Sequence, residues 1–254
     1  MFEVTPIPAF RDNYIWMLHL GGHAVVVDPG DAAPVLSALN QKGLRLDAIL
    51  ITHHHQDHTG GVSELLAAHD AKVYAPAKGQ YAFAHLPVVD GDAVSLPGIG
   101  AQFSVMETPG HTLDHVVYLD AGHLFCGDTL FSCGCGRLFE GSYEQLYRSL
   151  HRLAELPGKT AVYCTHEYTR HNLDFGLMVE PDNLALQQRS GQVSAWLAAG
   201  KPSLPSTIAI ELETNPFLRC GEPSIRAFAR QHGVTDKAPD SEVFRMLREL
   251  RNSF

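Results

Sequence analysis

The sequence predicts a layered α/β sandwich followed by a small all-helical C-terminal domain, and three observations carry that prediction. Over roughly the first two thirds of the 254 residues, short β-branched and apolar runs alternate with turns and helical stretches. After about Tyr168 the strand pattern gives way to three-to-four spacing of apolar residues. Turns bearing histidine or aspartate follow directly on four predicted strands, and loops at the carboxyl edge of a sheet are the usual site of chemistry.

Taken in order, Tyr14 to Leu20 and His23 to Asp28 flank Gly21-Gly22, a two-residue hairpin signal, and Pro29-Gly30 ends the second strand. Asp31 caps a helix over Ala32 to Gln41 that stops at Gly43. The nearly all-apolar run Asp47 to Ile51 suits a strand buried on both faces, and a histidine-rich turn and a helix over Val62 to Ala68 follow it. Further strands are expected at Lys72 to Ala75, Gln102 to Glu107, His115 to Leu119, His123 to Cys126 and Thr160 to Cys164, with a helix over Tyr143 to Leu156 between the last two. From Asn172 onward the pattern is helical, over Asn183 to Ala199, Pro223 to Gln231 and Ser241 to Leu250, with Lys201 to Pro205 as a loop and no strand. The chain therefore divides into residues 1–168 and residues 169–254.

Composition narrows the function. With 45% apolar and 19% charged residues, the chain can bury one large core or two modest ones. A net charge of −9 and a pI near 5.9 argue against nucleic acid or an anionic membrane as the main partner. Five cysteines form an odd set without a CxxC pair in a chain too large to need disulfide staples, which points to reduced thiols and a cytoplasmic location. No signal peptide or membrane-spanning run is recognisable, and no long exposed apolar stripe demands a partner, so a monomer is expected.

Fifteen histidines are the oddity. In Thr52-His53-His54-His55-Gln56-Asp57-His58, extended backbone sends His53 and His55 the same way and His54 elsewhere, so the first pair can grip one ion. Asp57 and His58, past the turn, can address a second. The bland alternative is a solvated histidine tract, or a helix start that Asp57 merely caps. Three later strand ends weigh against it: Thr108-Pro109-Gly110-His111, Gly127-Asp128-Thr129 and Thr165-His166-Glu167-Tyr168. Counting ligands gives His53, His55 and His111 for one ion, Asp57, His58 and His166 for the other, and Asp128 as a bridging carboxylate. Imidazole and carboxylate donors with an open position for water mark a catalytic rather than a structural site. Such donors suit zinc, the expected metal, and also iron or manganese. Cys133-Gly-Cys135 has the wrong spacing for a chelating pair.

These residues resemble the HxHxDH signature of the metallo-β-lactamase superfamily, with His111, Asp128 and His166 in that superfamily's order. More narrowly, the chain resembles the hydroxyacylglutathione hydrolases, or glyoxalase II thioesterases. The likeness runs through RDNYIWML, TPGHTLDH, CGDTLFSCGCGRLFEG, CTHEYTRHNLDF, ETNPFLR and LRELRNSF. It implies an αββα sandwich for the first domain and a substrate-binding role for the helical one. It also implies two metal ions on the seven residues above, and glutathione held by Arg137, Phe139, His166, Tyr168, Arg248 and Arg251. The family often has Lys at positions 137 and 251 and Tyr at 139, where Phe139 lacks a hydroxyl.

The mechanism so implied is hydrolysis of an S-(2-hydroxyacyl)glutathione such as S-D-lactoylglutathione to glutathione and D-lactate, the second step of methylglyoxal detoxification. Two cations sharing a water lower its pKa from about 15.7 toward 7, and the resulting metal-bound hydroxide attacks the thioester while Asp57 and Asp128 hold and orient it. Glutathione thiolate, with a parent pKa of about 8.5, leaves without a strong general acid. Basic residues in an acidic protein fit the two carboxylates of glutathione. Arg245, Arg248 and Arg251 recur every three residues along a stripe of the last helix, with Arg245 better read as solvated. The competing expectations are another enzyme of the same fold, acting on a lactam, a phosphodiester or a persulfide, and a non-catalytic metal-binding module.

Overall fold

The computed structural model describes residues 1–254, which form two compact units: residues 1–108 with 113–127, and residues 109–112 with 128–254. The first unit opens on a strand that the sequence conceals. β1 (Glu3–Ala9) contains Pro6 and Pro8, yet it pairs antiparallel with β2 (Asn13–Leu20) along its whole length. Proline cannot donate to a ladder, and β1 tolerates two because it is an edge strand. Gly21-Gly22 turns β2 back into β3 (His23–Val27), and Asp31 caps α1 (Ala32–Lys42) by accepting from the Ala33 amide. β4 (Arg45–Leu50) follows, then α2 (Gln56–Thr59), α3 (Val62–Ala68), β5 (Lys72–Pro76) and β6 (Leu86–Val88). The six strands form one mixed sheet in sequence order, parallel from β3 to β6.

Burial on both faces follows from two-residue alternation. Ile15, Met17, Val26, Ile49 and Ile51 join Val35 and Leu39 of α1 and Val62 and Leu65 of α3 in one apolar layer. Trp16, Leu18, Val25, Val27, Ala48 and Leu50, equally buried, project from the opposite face. There lie β7 (Ala93–Leu96), β8 (Ala101–Glu107), β9 (Val116–Leu119) and β10 (His123–Gly127), paired antiparallel in that order. Tyr118 of β9 fastens the layers by donating its hydroxyl to the carbonyls of Ile51 (3.0 Å) and Tyr74 (3.2 Å). Those bonds fall beside the carboxyl end of β4, from which the histidine turn departs.

The second unit carries a small hairpin, β11 (Leu130–Phe131) and β12 (Gly134–Cys135), then α4 (Tyr143–Ala154), whose Ser142 and Gln145 make a reciprocal cap. β13 (Ala161–Cys164), α5 (Thr169–Val179) and α6 (Leu184–Ala198) come next, then β14 (Ser206–Thr207), α7 (Ile208–Thr214), α8 (Pro223–Gln231) and α9 (Asp240–Ser253). The expectation of no strand beyond Tyr168 is corrected by β14, which pairs Ser206 with Val162 and Thr207 with Ala161. Two residues after a proline-bearing loop are too few to show a period.

Phe175, Phe217 and Phe244 form an aromatic spine for α5 and α9, with centroids 5.9 and 5.8 Å apart. A polar scaffold holds the β11–β12 hairpin. Glu211 accepts from the Cys133 amide (2.7 Å), Asn215 donates to the carbonyls of Phe131 (3.2 Å) and Gly134 (2.9 Å), and Asn172 donates to that of Ser132 (3.0 Å). Burial pushes the Glu211 carboxyl above its ordinary range, against the pull of its donors. The hairpin bears residues that line the cavity described below, so this scaffold links α5 and α7 to the site. No helix is long and apolar enough to cross a membrane.

Candidate metal centre and substrate cavity

In the first unit, Asp28 anchors the histidine turn. Its backbone sits in the left-handed region at φ 53°, where Asp is among the few tolerated side chains, and its carboxylate is 2% exposed. It accepts from the Thr52 amide (2.8 Å) and hydroxyl (2.7 Å) and faces His58 Nδ1 at 3.1 Å. With Nδ1–H given to Asp28, His58 keeps a lone pair on Nε2, which lies 3.5 Å from Asp57 Oδ2. Thr52 does the same for His53: Oγ1 is 3.0 Å from Nδ1, leaving Nε2 to face His55 Nδ1 at 3.1 Å. Two imidazole ligands at about 2.0–2.1 Å on one tetrahedral ion stand roughly 3.3 Å apart. Both pairs therefore sit at ligand spacing. Glycine is required at 127, where φ is 49° and a Cβ would fall 2.4 Å from Thr52 Oγ1 and 2.8 Å from His115 Nε2.

The neighbouring side chains divide as the alternation predicts. His54 turns away to Asp114, Nδ1 to Oδ1 2.9 Å, and Asp114 also accepts from the Tyr81 hydroxyl. His115 stacks on His53 at 4.8 Å and meets Thr108 Oγ1 through Nδ1, so it supports the turn from beneath. Asp57 caps nothing: it lies in the single turn α2, and α3 starts at Gly61 with no side-chain cap.

The second unit presents the complementary donors. Asp128, 7% exposed, places Oδ2 3.5 Å from His111 Nε2 and Oδ1 3.5 Å from His166 Nε2, so each oxygen addresses a different imidazole. His111 Nδ1 donates to the Arg137 carbonyl (2.6 Å), which leaves Nε2 as the ligand atom, and the Thr165 hydroxyl donates to Asp128 Oδ1 (2.6 Å). This is the arrangement a bridging carboxylate needs. All five cysteines are buried, and none forms a disulfide. Burial pushes the thiols of Cys133, Cys135, Cys164 and Cys220 upward, so they are neutral and unsuited to hold a cation.

Beside His111 and Asp128 the same unit opens a cavity of about 340 Å³, lined also by Arg137, Phe139, Tyr168, Arg248 and Arg251. Phe139, 63% exposed, sets its ring edge-on to His111 at 5.3 Å, with the Arg137 guanidinium 5.7 Å from the ring centroid. Tyr168 stacks on His166 at 4.7 Å and 8°. Arg248 is 5% exposed, donates to the Cys135 carbonyl (2.9 Å) and Asn252 Oδ1 (3.1 Å), and lies over the Phe217 ring. Arg251 donates to Asn172 Oδ1 (3.1 Å), and burial, then the charge of Arg248, lower its pKa. Arg245 instead pairs with Glu249 on the exposed face, which corrects the single stripe of three. Each three-residue step turns about 60° around a helix, so Arg245 and Arg251 point well apart. Asn172 and Asn252, cavity residues that sequence reasoning missed, are ordinary helix residues by spacing, and only proximity to the arginines singles them out.

Residues 9–166 match the metallo-beta-lactamase superfamily, and residues 167–254 match the hydroxyacylglutathione hydrolase C-terminus. A hydroxyacylglutathione hydrolase of Methylobacillus flagellatus is 58% identical, and one of Dechloromonas aromatica 49%, each over 100% of both chains. Among solved structures, that of TTHA1623 in a di-iron-bound form is similar at 26% identity and a TM-score of 0.61, covering 84% of this chain and 100% of that one. The strands and the histidine and aspartate clusters define the class, an enzyme of the metallo-β-lactamase superfamily whose donors suit metal ions. Within it, the chain belongs to the hydroxyacylglutathione hydrolase family.

Proposed function

We propose that the protein hydrolyses S-(2-hydroxyacyl)glutathione thioesters, S-D-lactoylglutathione foremost, to glutathione and the 2-hydroxy acid, as the second step of methylglyoxal detoxification. The observation that carries this reading is Asp128, whose two oxygens each face a different histidine at the end of a cavity walled by Arg137, Arg248 and Arg251. His53, His55 and His111 would hold one ion and Asp57, His58 and His166 the other, with Asp128 shared. Zinc suits this donor set best, with iron and manganese also compatible. When bound, the pair supplies Lewis acidity, which lowers the pKa of water toward neutrality and polarises the thioester carbonyl.

The chain's own groups do the rest. The arginines draw the carboxylates of glutathione into the cavity, where a partly desolvated guanidinium binds them better than it would in water. Tyr168, stacked on His166, and Phe139, set against His111, border the path between the arginines and the ligands. Asp57, 43% exposed, would accept a hydrogen bond from the attacking water. Water adds to the carbonyl carbon, the C–S bond breaks, and the thiolate leaves with the electron pair. With a parent pKa of about 8.5, it needs no strong general acid. In this division of labour residues 1–168 supply catalysis together with Arg137, Phe139 and Tyr168, and residues 169–254 add the substrate contacts of Arg248 and Arg251. The net charge of −9 suits a monomer in the cytoplasm that acts on a small molecule rather than on nucleic acid.

Offering one preparation S-lactoylglutathione, nitrocefin and a nitrophenyl phosphodiester tests the assignment. Consumption of the thioester at least about 100-fold faster than the others is the expected result, a preference of roughly 2.7 kcal/mol. A faster lactam or phosphodiester reaction would replace it with another hydrolase of this fold.

A further inference from the structure

Asp57 sits on one of the shortest helices of the first unit. It lies in a one-turn helix of four residues, below the length at which helices persist unaided, and its side chain is 43% exposed. Yet as a ligand that also orients water it must keep one oxygen aimed at the ion. A hydrogen bond from the start of the chain holds one of the carboxylate oxygens. Asn13, the first residue of β2 and only 7% exposed, donates from Nδ2 to Asp57 Oδ2 at 3.1 Å.

The backbone of Asp57 is clamped from the same side. A Cβ on Gly30 would fall 1.9 Å from the Asp57 carbonyl oxygen and 2.8 Å from the Phe10 ring, so residue 30 must be glycine for the three to meet. Phe10 reaches this position from the β1–β2 turn with its backbone in the left-handed region, φ 50°, which is rare for an aromatic residue. Side chain and main chain of Asp57 are thus both gripped by the Phe10-to-Asn13 turn and the loop after β3.

We propose that Asn13 is a positioning residue for Asp57 and, through it, for the second ion, an inference that rests on the hydrolase reading above. The residue type is part of the case. A neutral amide donor fills one lone pair of Oδ2 and adds no charge to compete for the cation. An Asp there would keep the shape but face Asp57 with a second carboxylate. A Leu would keep the bulk and remove the donor.

The test compares Asn13→Leu and Asn13→Asp with the wild type in three readouts. These are the melting temperature of metal-free protein, zinc affinity by competition with a chelating dye, and the kinetics of S-lactoylglutathione hydrolysis. For Asn13→Leu we expect a metal-free melting temperature near that of wild type and one zinc of the two bound about 10- to 100-fold more weakly. We also expect kcat reduced about tenfold at saturating zinc, with KM within twofold, because the arginines that bind glutathione are untouched. Asn13→Asp, which loses the donor and sets a second carboxylate against Asp57, should shift zinc affinity and lower kcat, again with KM within twofold. Wild-type zinc affinity and kcat in both variants would overturn the proposal, as would a loss of activity matched by unfolding of the metal-free protein in both. Should the wild type itself bind no zinc or leave the thioester intact, the hydrolase reading fails instead, so the two failures are distinct.

Discussion

Replacement of Asp128 by asparagine is expected to lower kcat/KM at least about 10³-fold, a loss of roughly 4 kcal/mol of transition-state stabilisation. The substitution preserves shape and changes one atom. Oδ1 and Oδ2 stand 3.5 Å from His166 Nε2 and His111 Nε2, so on the proposed ligand assignment each oxygen would serve a different ion. An amide offers one oxygen and one N–H, and the N–H end points a positive dipole at a cation. Both ions would lose the shared negative charge and one would also lose its oxygen contact with residue 128, so bound metal should fall from about two per chain toward one. Substrate affinity should hardly move, because the arginines stay where they are. The variant is checked by metal analysis and steady-state kinetics on the same sample. Two ions retained with near wild-type kcat would show that Asp128 is not the shared ligand.

Arg248→Ala should act on the other kinetic constant. KM is expected to rise about tenfold, or roughly 1.4 kcal/mol, with kcat within about twofold, as loss of an interaction made equally in ground and transition states requires. Arg248 is also a structural part of the cavity wall: it bonds the Cys135 carbonyl and Asn252, and its guanidinium lies 5.3 Å from the Phe217 ring centroid. Alanine therefore strands a buried carbonyl and leaves a void, at a cost of about 2–4 kcal/mol in stability. Arg248→Lys restores the charge but not the forked geometry, and should fall between the two in KM. An unchanged KM for the alanine variant would remove Arg248 from the substrate contacts.

How far the site could be read in advance depended on which residues report on chemistry by themselves. Histidine and aspartate at four strand ends are conspicuous because few other roles place them there in succession, and the alternation of extended backbone separated His53 and His55 from His54. Asp28, Thr52, Thr165 and Asn13 gave no such signal. Their function lies in the group they bond across the fold, and small polar residues beside turns are common for many reasons. The strands of the first unit were legible where both faces are buried, as in β3 and β4. β1 was hidden by Pro6 and Pro8, which only an edge position allows, and β14 by its length of two residues. On α9, spacing placed Arg245, Arg248 and Arg251 together, while the structure exposes the first and buries the second, because a three-residue repeat drifts around a helix.

This chain is expected to break a thioester only when both donor sets are filled, and a metal titration of the hydrolysis rate measures that directly. Protein stripped by chelation and returned to zinc in steps should regain S-lactoylglutathione hydrolysis fully at about two equivalents, with the stripped sample at least about 10³-fold slower than the restored one. Undiminished turnover by rigorously metal-free protein, or full rate at a single equivalent, would contradict the account.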